Sequence, residues 1–300
     1  MFSRTIHMFK VGTILTNIIF VLLAIILLSG CGYAPVRIPF VVSGNNYKIQ
    51  FLKNDTIRVL CWNVYKENNE AECQDEFKKI IDSKNPNIIL LQEFIHKEGN
   101  DKFFSKDIKP GYEFAPNTYI EKYDAYSGVL TASSIKPVGV NSMLSNGLEP
   151  ITDTSKIVLF TKYALNSSNK ELLVVNVHAI NFEISNNNFK EQLQNISKIV
   201  VEHDGPIIVA GDFNTWSQTR YSYLEEIIKG MNLIKIDFGS QSDDVTCSFG
   251  NPLDHIFYSE NELELIEGSA DVIDNIESSD HLPLFIELKV RNNNSLNIYK

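Results

Sequence analysis

The sequence predicts a mixed α/β fold, and three observations carry that prediction. Eight short apolar runs bounded by polar segments read as buried strands: Ile57–Trp62, Ile88–Gln92, Ser127–Ala132, Ile157–Thr161, Leu172–Val177, Ile207–Ala210, Asp254–Tyr258 and Pro283–Leu288. Apolar residues recur at helical spacing between some of them. Two of the runs also echo each other: Ile-Ile-Leu-Leu-Gln-Glu-Phe at 88–94 and Ile-Ile-Val-Ala-Gly-Asp-Phe at 207–213. Each echo ends a strand on a carboxylate. A sandwich of two sheets with one such strand in each half would bring both carboxylates to one rim.

The N-terminus reads as targeting sequence. Arg4 and Lys10 precede an apolar stretch from Val11 to Leu28, which runs into Leu-Ser-Gly-Cys31. A basic flank, an apolar core and small residues before a cysteine resemble the lipobox of bacterial lipoproteins. That resemblance implies cleavage before Cys31 and acylation of its thiol; Met8 would serve as a tighter start. The alternative is an uncleaved transmembrane helix, since about eighteen apolar residues just span a bilayer. Either way the expected location is extracytoplasmic and membrane-anchored. Gly32 after Cys31 favours the outer membrane where a cell has two. The expected division is a signal peptide over 1–30, a lipidated cysteine and tether over 31–54, a catalytic domain over 55–291 and a tail over 292–300.

The helices follow from spacing. Phe77, Ile80 and Ile81 mark the first. Phe189, Leu193, Ile196 and Val200 form an amphipathic stripe for the second. Leu224, Ile227, Ile228 and Met231 mark the third, opened by Ser217 or Thr219. Helices and strands alternate too irregularly for a doubly wound parallel sheet, so antiparallel neighbours are expected. With Cys31 set apart, Cys61, Cys73 and Cys247 remain, without zinc-type spacing. They are expected to be free buried thiols, with a single Cys73–Cys247 bridge as the alternative.

Polar residues at strand ends carry the chemistry, because a strand holds its terminal side chain rigidly. Asn63, Glu93, His178, Asp212 and Asn214 each follow an apolar run, and Asp280 and His281 precede one. Asp254 lies at the start of another. Alone, each reads as a turn or cap residue or a structural imidazole. Together they supply hard oxygen ligands, a base for water and donors for phosphate oxygens.

These residues sit in segments that resemble a known superfamily. Arg58-Val-Leu-Cys-Trp-Asn63, Leu91-Gln-Glu93, Ser127-Gly-Val129, Asn176-Val-His178, Gly211-Asp-Phe-Asn214, Leu253-Asp254 and Ser279-Asp-His281 occur in the order found in endonuclease/exonuclease/phosphatase proteins. The chain resembles an uncharacterised bacterial branch of that DNase I-like superfamily over about residues 56 to 290. The resemblance implies a four-layer α/β sandwich, with two mixed sheets packed face to face and flanked by helices. It implies Mg²⁺ chemistry, with Mn²⁺ or Ca²⁺ as alternatives. Glu93 is the implied principal metal ligand, assisted by Asn63 and Asp280. Asp212 is the implied base for the attacking water, and Asn214 would hold a phosphate oxygen. His281 would contact the phosphoryl group, with its tautomer fixed by Asp254. His178 is implied as a second, charged imidazole, with Glu149 as its candidate carboxylate partner and a surface cap as Glu149's alternative role. Trp216 would stack on a base or sugar, or simply pack.

Composition narrows the substrate. The chain carries a net charge of -10, and removing Arg4 and Lys10 with residues 1–30 leaves -12. Broad polyanion binding needs clustered basic residues, and no long basic run is present. The expected substrate is a phosphodiester: DNA, a nucleotide or a lipid head group. A phosphatase, or a binding lipoprotein that kept the fold, is the alternative. No obligate protein partner is implied.

Overall fold

The computed structural model describes residues 32–52, 56–97, 103, 110–150, 152–166 and 169–291. Cys31, the apolar segment before it and the tail over 292–300 lie outside these residues.

The chain begins in one sheet, builds a second, and returns to the first. Strands β1 (Tyr33–Pro35), β2 (Val42–Gly44), β3 (Thr56–Asn63), β4 (Ile88–His96), β5 (Gly111–Ile120) and β6 (Ala125–Ser133) belong to the first sheet. Helix α1 (Ala71–Lys84) links β3 to β4, which pair in parallel. Strands β7 (Gly139–Leu144), β8 (Ile157–Ala164), β9 (Glu171–His178), β10 (Ile207–Asp212) and β11 (Ile234–Lys235) form the second sheet. Helices α2 (Asn187–Val201) and α3 (Gln218–Gly230) flank β10 in the chain. A short ribbon, β12 (Cys247–Ser248) and β13 (Asn251–Pro252), leads into β14 (Asp254–Tyr258), which joins the second sheet. Strands β15 (Leu263–Leu265), β16 (Asp271–Val272) and β17 (Leu284–Val290) close the first.

Strand parity explains the layering. Val59, Cys61, Leu90 and Ile286 of the first sheet pack against Val174, Ile208, Ala210 and Ile256 of the second. Their sequence neighbours face outward. Leu60, Trp62, Ile89 and Leu91 meet Cys73, Phe77 and Ile80 of α1. Val175, Val209 and Phe257 meet Phe189, Leu193, Ile196 and Val200 of α2 and Leu224 and Ile228 of α3. The result is the expected four layers: helix, sheet, sheet, helices. Burial of these apolar faces is the main term holding the layers together. A polar bridge crosses the sandwich, with Gln92 Nε2 donating to Asn176 Oδ1 at 2.7 Å and Asn176 Nδ2 to Leu130 O at 2.9 Å.

One expectation needs correction. Residues 32–54 were expected to be a tether, but β1 and β2 pair antiparallel with β5, so part of this segment belongs to the sheet. An edge strand supplies unpaired backbone groups, and the short extended pieces satisfy them without an apolar signal of their own. His96 closes β4. It is buried, with Nε2 3.0 Å from the Tyr112 hydroxyl and its ring stacked on Phe114. Cys61, Cys73 and Cys247 are free, the first two buried and the third exposed.

Candidate active site

Parallel pairing delivers the polar strand ends to one edge. β3 and β4 run the same way, as do β9 and β10, while β14 and β17 run against their neighbours. Asn63, Asp212 and His178 therefore finish strands where Asp254 begins one and His281 precedes another. Asp212 is paired in register with both His178 and Asp254. Asn63, His178, Asp212 and Asp254 share the inner-facing parity of their strands. His178, Asp212 and His281 line a cleft of about 360 Å³ with Glu93, Asn214 and Asp280. Asn63 and Asp254 stand behind its wall, bonded to Asp212 and His281.

Backbone irregularities aim three of the groups. The β4–β6 register shifts between Leu91 and Phe94, and Glu93 at this bulge has a φ of 54°. A regular strand would have alternated Glu93 away from the cleft. Asn214 has a φ of 50°. Its backbone N–H donates to Asp212 Oδ1 at 2.8 Å and its side chain to Ala179 O at 3.0 Å. Gly211 has a φ of 146°, and a Cβ there would lie 1.9 Å from Val177 O. Only glycine permits that approach of β10 to β9.

Asp212 and His281 are the best-held pair of groups. Asn63 Nδ2 donates to Asp212 Oδ2 at 3.0 Å. Burial, with the Asp254 charge adding, raises the Asp212 carboxyl to about 6 against the pull of His281. His281 Nδ1 stands 2.7 Å from Asp254 Oδ2. Burial works against its charge, but Asp254, Asp212 and Asp280 outweigh it and hold the imidazolium up at about 10. Asp280 is more exposed, with Oδ1 3.9 Å from His281 Nε2.

The reading of His178 as a charged donor is corrected. Its Nε2 lies 3.0 Å from Lys156 Nζ, which as an ammonium can only donate. Burial, then the charges of Lys156, Lys66 and His281, hold this imidazole well below its usual range and neutral. Glu93 Oε1 and Asp212 Oδ2 each stand 3.7 Å from the same nitrogen. The expected direct partnership with Glu149 is also replaced. Glu149 Oε1 accepts from Asn181 N at 2.8 Å and lies 3.4 Å from Lys156 Nζ. Lys156 therefore stands between the carboxylate and the ring.

Trp216 is half-buried behind the rim. It donates Nε1–H to Asn181 Oδ1 at 3.0 Å, and the Arg220 guanidinium lies 5.3 Å from its ring. These contacts pack the ring against its neighbours. His255 points away from Asp254, into the outer layer, where it contacts Thr215 Oγ1 at 2.8 Å.

The donor set fits a hard divalent cation. Glu93, Asp280 and Asn63 offer oxygen atoms, and the Glu93 carboxylate is ion-paired with the Lys66 ammonium, a cation at the expected ligand. Asp212, Asp254 and His281 also bring ligand atoms within 4.8 Å of one another. Asp254 and His281 are hydrogen-bonded to each other, however, so this trio reads as a base beside an orienting pair. Sequence reading missed Lys66 and Lys156. Lys66 is pushed down to about 8 by burial and by the Lys156 charge.

The fold and the cleft define a class: a two-sheet sandwich with carboxylate, amide and imidazole groups gathered at one edge. Residues 60–281 match the Endonuclease/Exonuclease/phosphatase family, and the chain belongs to it. A UPF0294 protein of Vibrio campbellii (strain ATCC BAA-1116) is 32% identical over 236 residues, which cover 78% of each chain. The human Nocturnin catalytic domain with bound sulfate anion aligns with a TM-score of 0.57 and 19% identity, over 84% of this chain and 98% of that one. D. rerio TDP2, complexed with single strand DNA product, aligns with a TM-score of 0.55 and 12% identity, over 78% and 99%. Membership of this family supports phosphate-ester hydrolysis.

Proposed function

We propose that this protein is a divalent-cation-dependent phosphodiesterase that works by in-line attack of water. One observation carries the reading: Asp212, Asp254 and His281 bring their polar atoms within 4.8 Å of one another at a cleft that the Glu93 and Asp280 carboxylates also line.

Each group has a defined task. Asp212, fixed by Asn63 and by the Asn214 backbone, takes a proton from the attacking water. A carboxylate at about 6 is a stronger base than an ordinary one. His281 donates Nε2–H to a phosphoryl oxygen, and Asp254 keeps that proton in place. Asn214 supplies a further donor. Lys156 replaces His178 as the second cationic donor, while neutral His178 positions it. The cation, held by Glu93 with Asn63 and Asp280, would offset negative charge on the phosphate oxygens. Fixed charges aimed at the developing oxyanion are the largest source of rate in such sites.

Export and membrane attachment through Cys31, or through the uncleaved Val11–Leu28 segment, belong to the same proposal and rest on the sequence alone. The test is hydrolysis by the purified full chain. Supercoiled plasmid, phospholipid vesicles and a chromogenic phosphodiester would be offered with Mg²⁺ or with chelator. Turnover that needs the cation and disappears in Asp212→Asn supports the proposal. No turnover of any substrate by folded, cation-binding protein would leave a binding protein instead.

A further inference from the structure

The rim of the cleft carries apolar side chains that the chemistry does not use. Phe182 is 51% exposed, Tyr65 50%, Phe249 87% and Ile184 93%. Three of these four hold positive φ: Tyr65 at 49°, Phe182 at 54° and Phe249 at 50°. A bulky side chain pays for that conformation, so it persists where the surroundings impose it. Among the described residues, the only side chains at positive φ besides Asn, Asp and Gly are these three, Lys66 and Glu93. Four of the five line the cleft, and the fifth, Phe249, stands at the tip of the neighbouring β12–β13 ribbon.

The rim is rigidly presented. The Glu183 carboxylate accepts from Asn188 N and Phe189 N at 3.1 Å each, fastening the loop to the first turn of α2. Buried Arg220 donates to Ile180 O and, at 3.2 Å, to Asn186 Oδ1. Phe182 and Ile184 project from a loop pinned at both ends. Phe249 and Gly250 form the two-residue tip of the β12–β13 ribbon, both at positive φ. The ribbon reaches the same rim, where Asn251 Nδ2 donates to Trp216 O at 3.4 Å and Leu253 lines the cleft.

The N-terminus enters at this same end. β1 pairs Tyr33 with Ile120, at the cleft end of β5, and both residues line the cleft. Leu28, the last residue of the apolar Val11–Leu28 stretch, precedes Tyr33 by five positions, a reach of at most about 18 Å. Cys31 precedes it by two, about 7 Å.

We infer that this rim is a membrane-docking face, and that the cleft opens onto the surface of the bilayer in which the N-terminus is anchored. The inference rests on the attachment and phosphodiesterase activity proposed above and narrows the substrate to phosphodiesters at a membrane surface. Aromatic and aliphatic side chains around a polar mouth suit the boundary between head groups and acyl chains. With a net charge of -12 beyond residue 30, attraction to anionic lipid is not the driving force, so a zwitterionic surface suffices.

The full chain would be reconstituted in phosphatidylcholine bilayers, in a Cys247→Ser background. Ile184→Cys and Phe249→Cys place a fluorophore on the rim, and Ser83→Cys places one at the opposite end, in the last turn of α1. Signal from protein without an introduced cysteine is subtracted. Quenching by lipid bearing a head-group nitroxide is expected to be at least threefold greater at 184 and 249 than at 83. Equal quenching, stronger quenching at 83, or failure of the full chain to join bilayers would overturn the inference. Turnover of a soluble chromogenic phosphodiester in the same preparation separates the two proposals. Rim quenching without turnover removes the phosphodiesterase and keeps the docking face, while turnover without rim quenching does the reverse.

Discussion

Lys156 Nζ lies 3.0 Å from His178 Nε2 and 3.4 Å from Glu149 Oε1, so an ammonium separates a buried imidazole from the carboxylate expected to be its partner. The ring must accept at Nε2 and carry its proton on Nδ1. Lys156→Met removes a positive neighbour and is expected to raise the His178 pKa. Ring NMR titration checks this: His178 should stay neutral at pH 6 in the native chain and begin to protonate in the variant. Identical titrations would refute the pairing.

Activity should follow two groups. Asp212 must be deprotonated, so the rate rises with pH through about 6. His281 must be protonated, so the rate falls through about 10. Asp254→Asn removes the main attraction that offsets burial, and the alkaline fall should then move below about 8. A pH–rate profile with an unmoved upper limb would exclude His281 as its origin.

The same groups link stability to pH. The His281 pKa is raised from 6.5 to about 10, so its stabilising contribution is complete below 6.5 and lost as pH rises through about 10. Asp212 has the same sign in a lower window: its raised pKa withdraws stability as pH climbs from 3.8 to about 6. Urea denaturation at pH 7 and pH 10 should show a lower midpoint at pH 10, and a smaller drop in Asp254→Asn.

Asp212→Asn should lower kcat by about 10²- to 10⁴-fold while the fold survives, since a buried carboxyl that resists ionisation is replaced by a near-isostere. Circular dichroism and urea midpoint verify folding. A variant retaining a tenth of native turnover would remove Asp212 as the base.

Lys66→Met should tighten divalent-cation binding several-fold, because the Glu93 carboxylate would lose its competing ammonium. Calorimetric titration with Mn²⁺ measures this directly. Unchanged or weaker binding would place the cation elsewhere.

Gly211→Ala should cost about 2 kcal/mol or more, through a positive φ and a Cβ driven onto Val177 O. The urea midpoint would report it.

Much of this was legible in the chain because parallel strands announce themselves. Val59–Trp62 and Ile207–Ala210 are continuous apolar runs, Leu172–Val177 is broken only by Asn176, and the polar residue that follows each falls at the site. The third helix begins after Ser217 as its capping signal suggests, with Ser217 Oγ accepting from Arg220 N. β5 escaped notice because Gly111, Pro116 and Asn117 interrupt its pattern, and its pairing with β6 shifts register between Pro116 and Thr118. β1 and β2 are too short to show a period. Lys66 and Lys156 were illegible for a different reason. A lysine beside a strand is ordinarily solvated, and only tertiary closure puts one against Glu93 and the other against His178. The neutrality of His178 follows from that closure and from no local motif.

The register of β1 also decides how this protein should be handled. Because Tyr33 is stitched to Ile120 at the mouth of the cleft, any affinity handle or fusion partner placed ahead of Gly32 would hang over the entrance and compete with whatever enters. Strand β17 runs away from that mouth, leaving Arg291 at the far end of the sandwich, next to Glu262. A handle joined beyond Arg291 keeps the entrance clear, so the choice of terminus is itself an experimental variable.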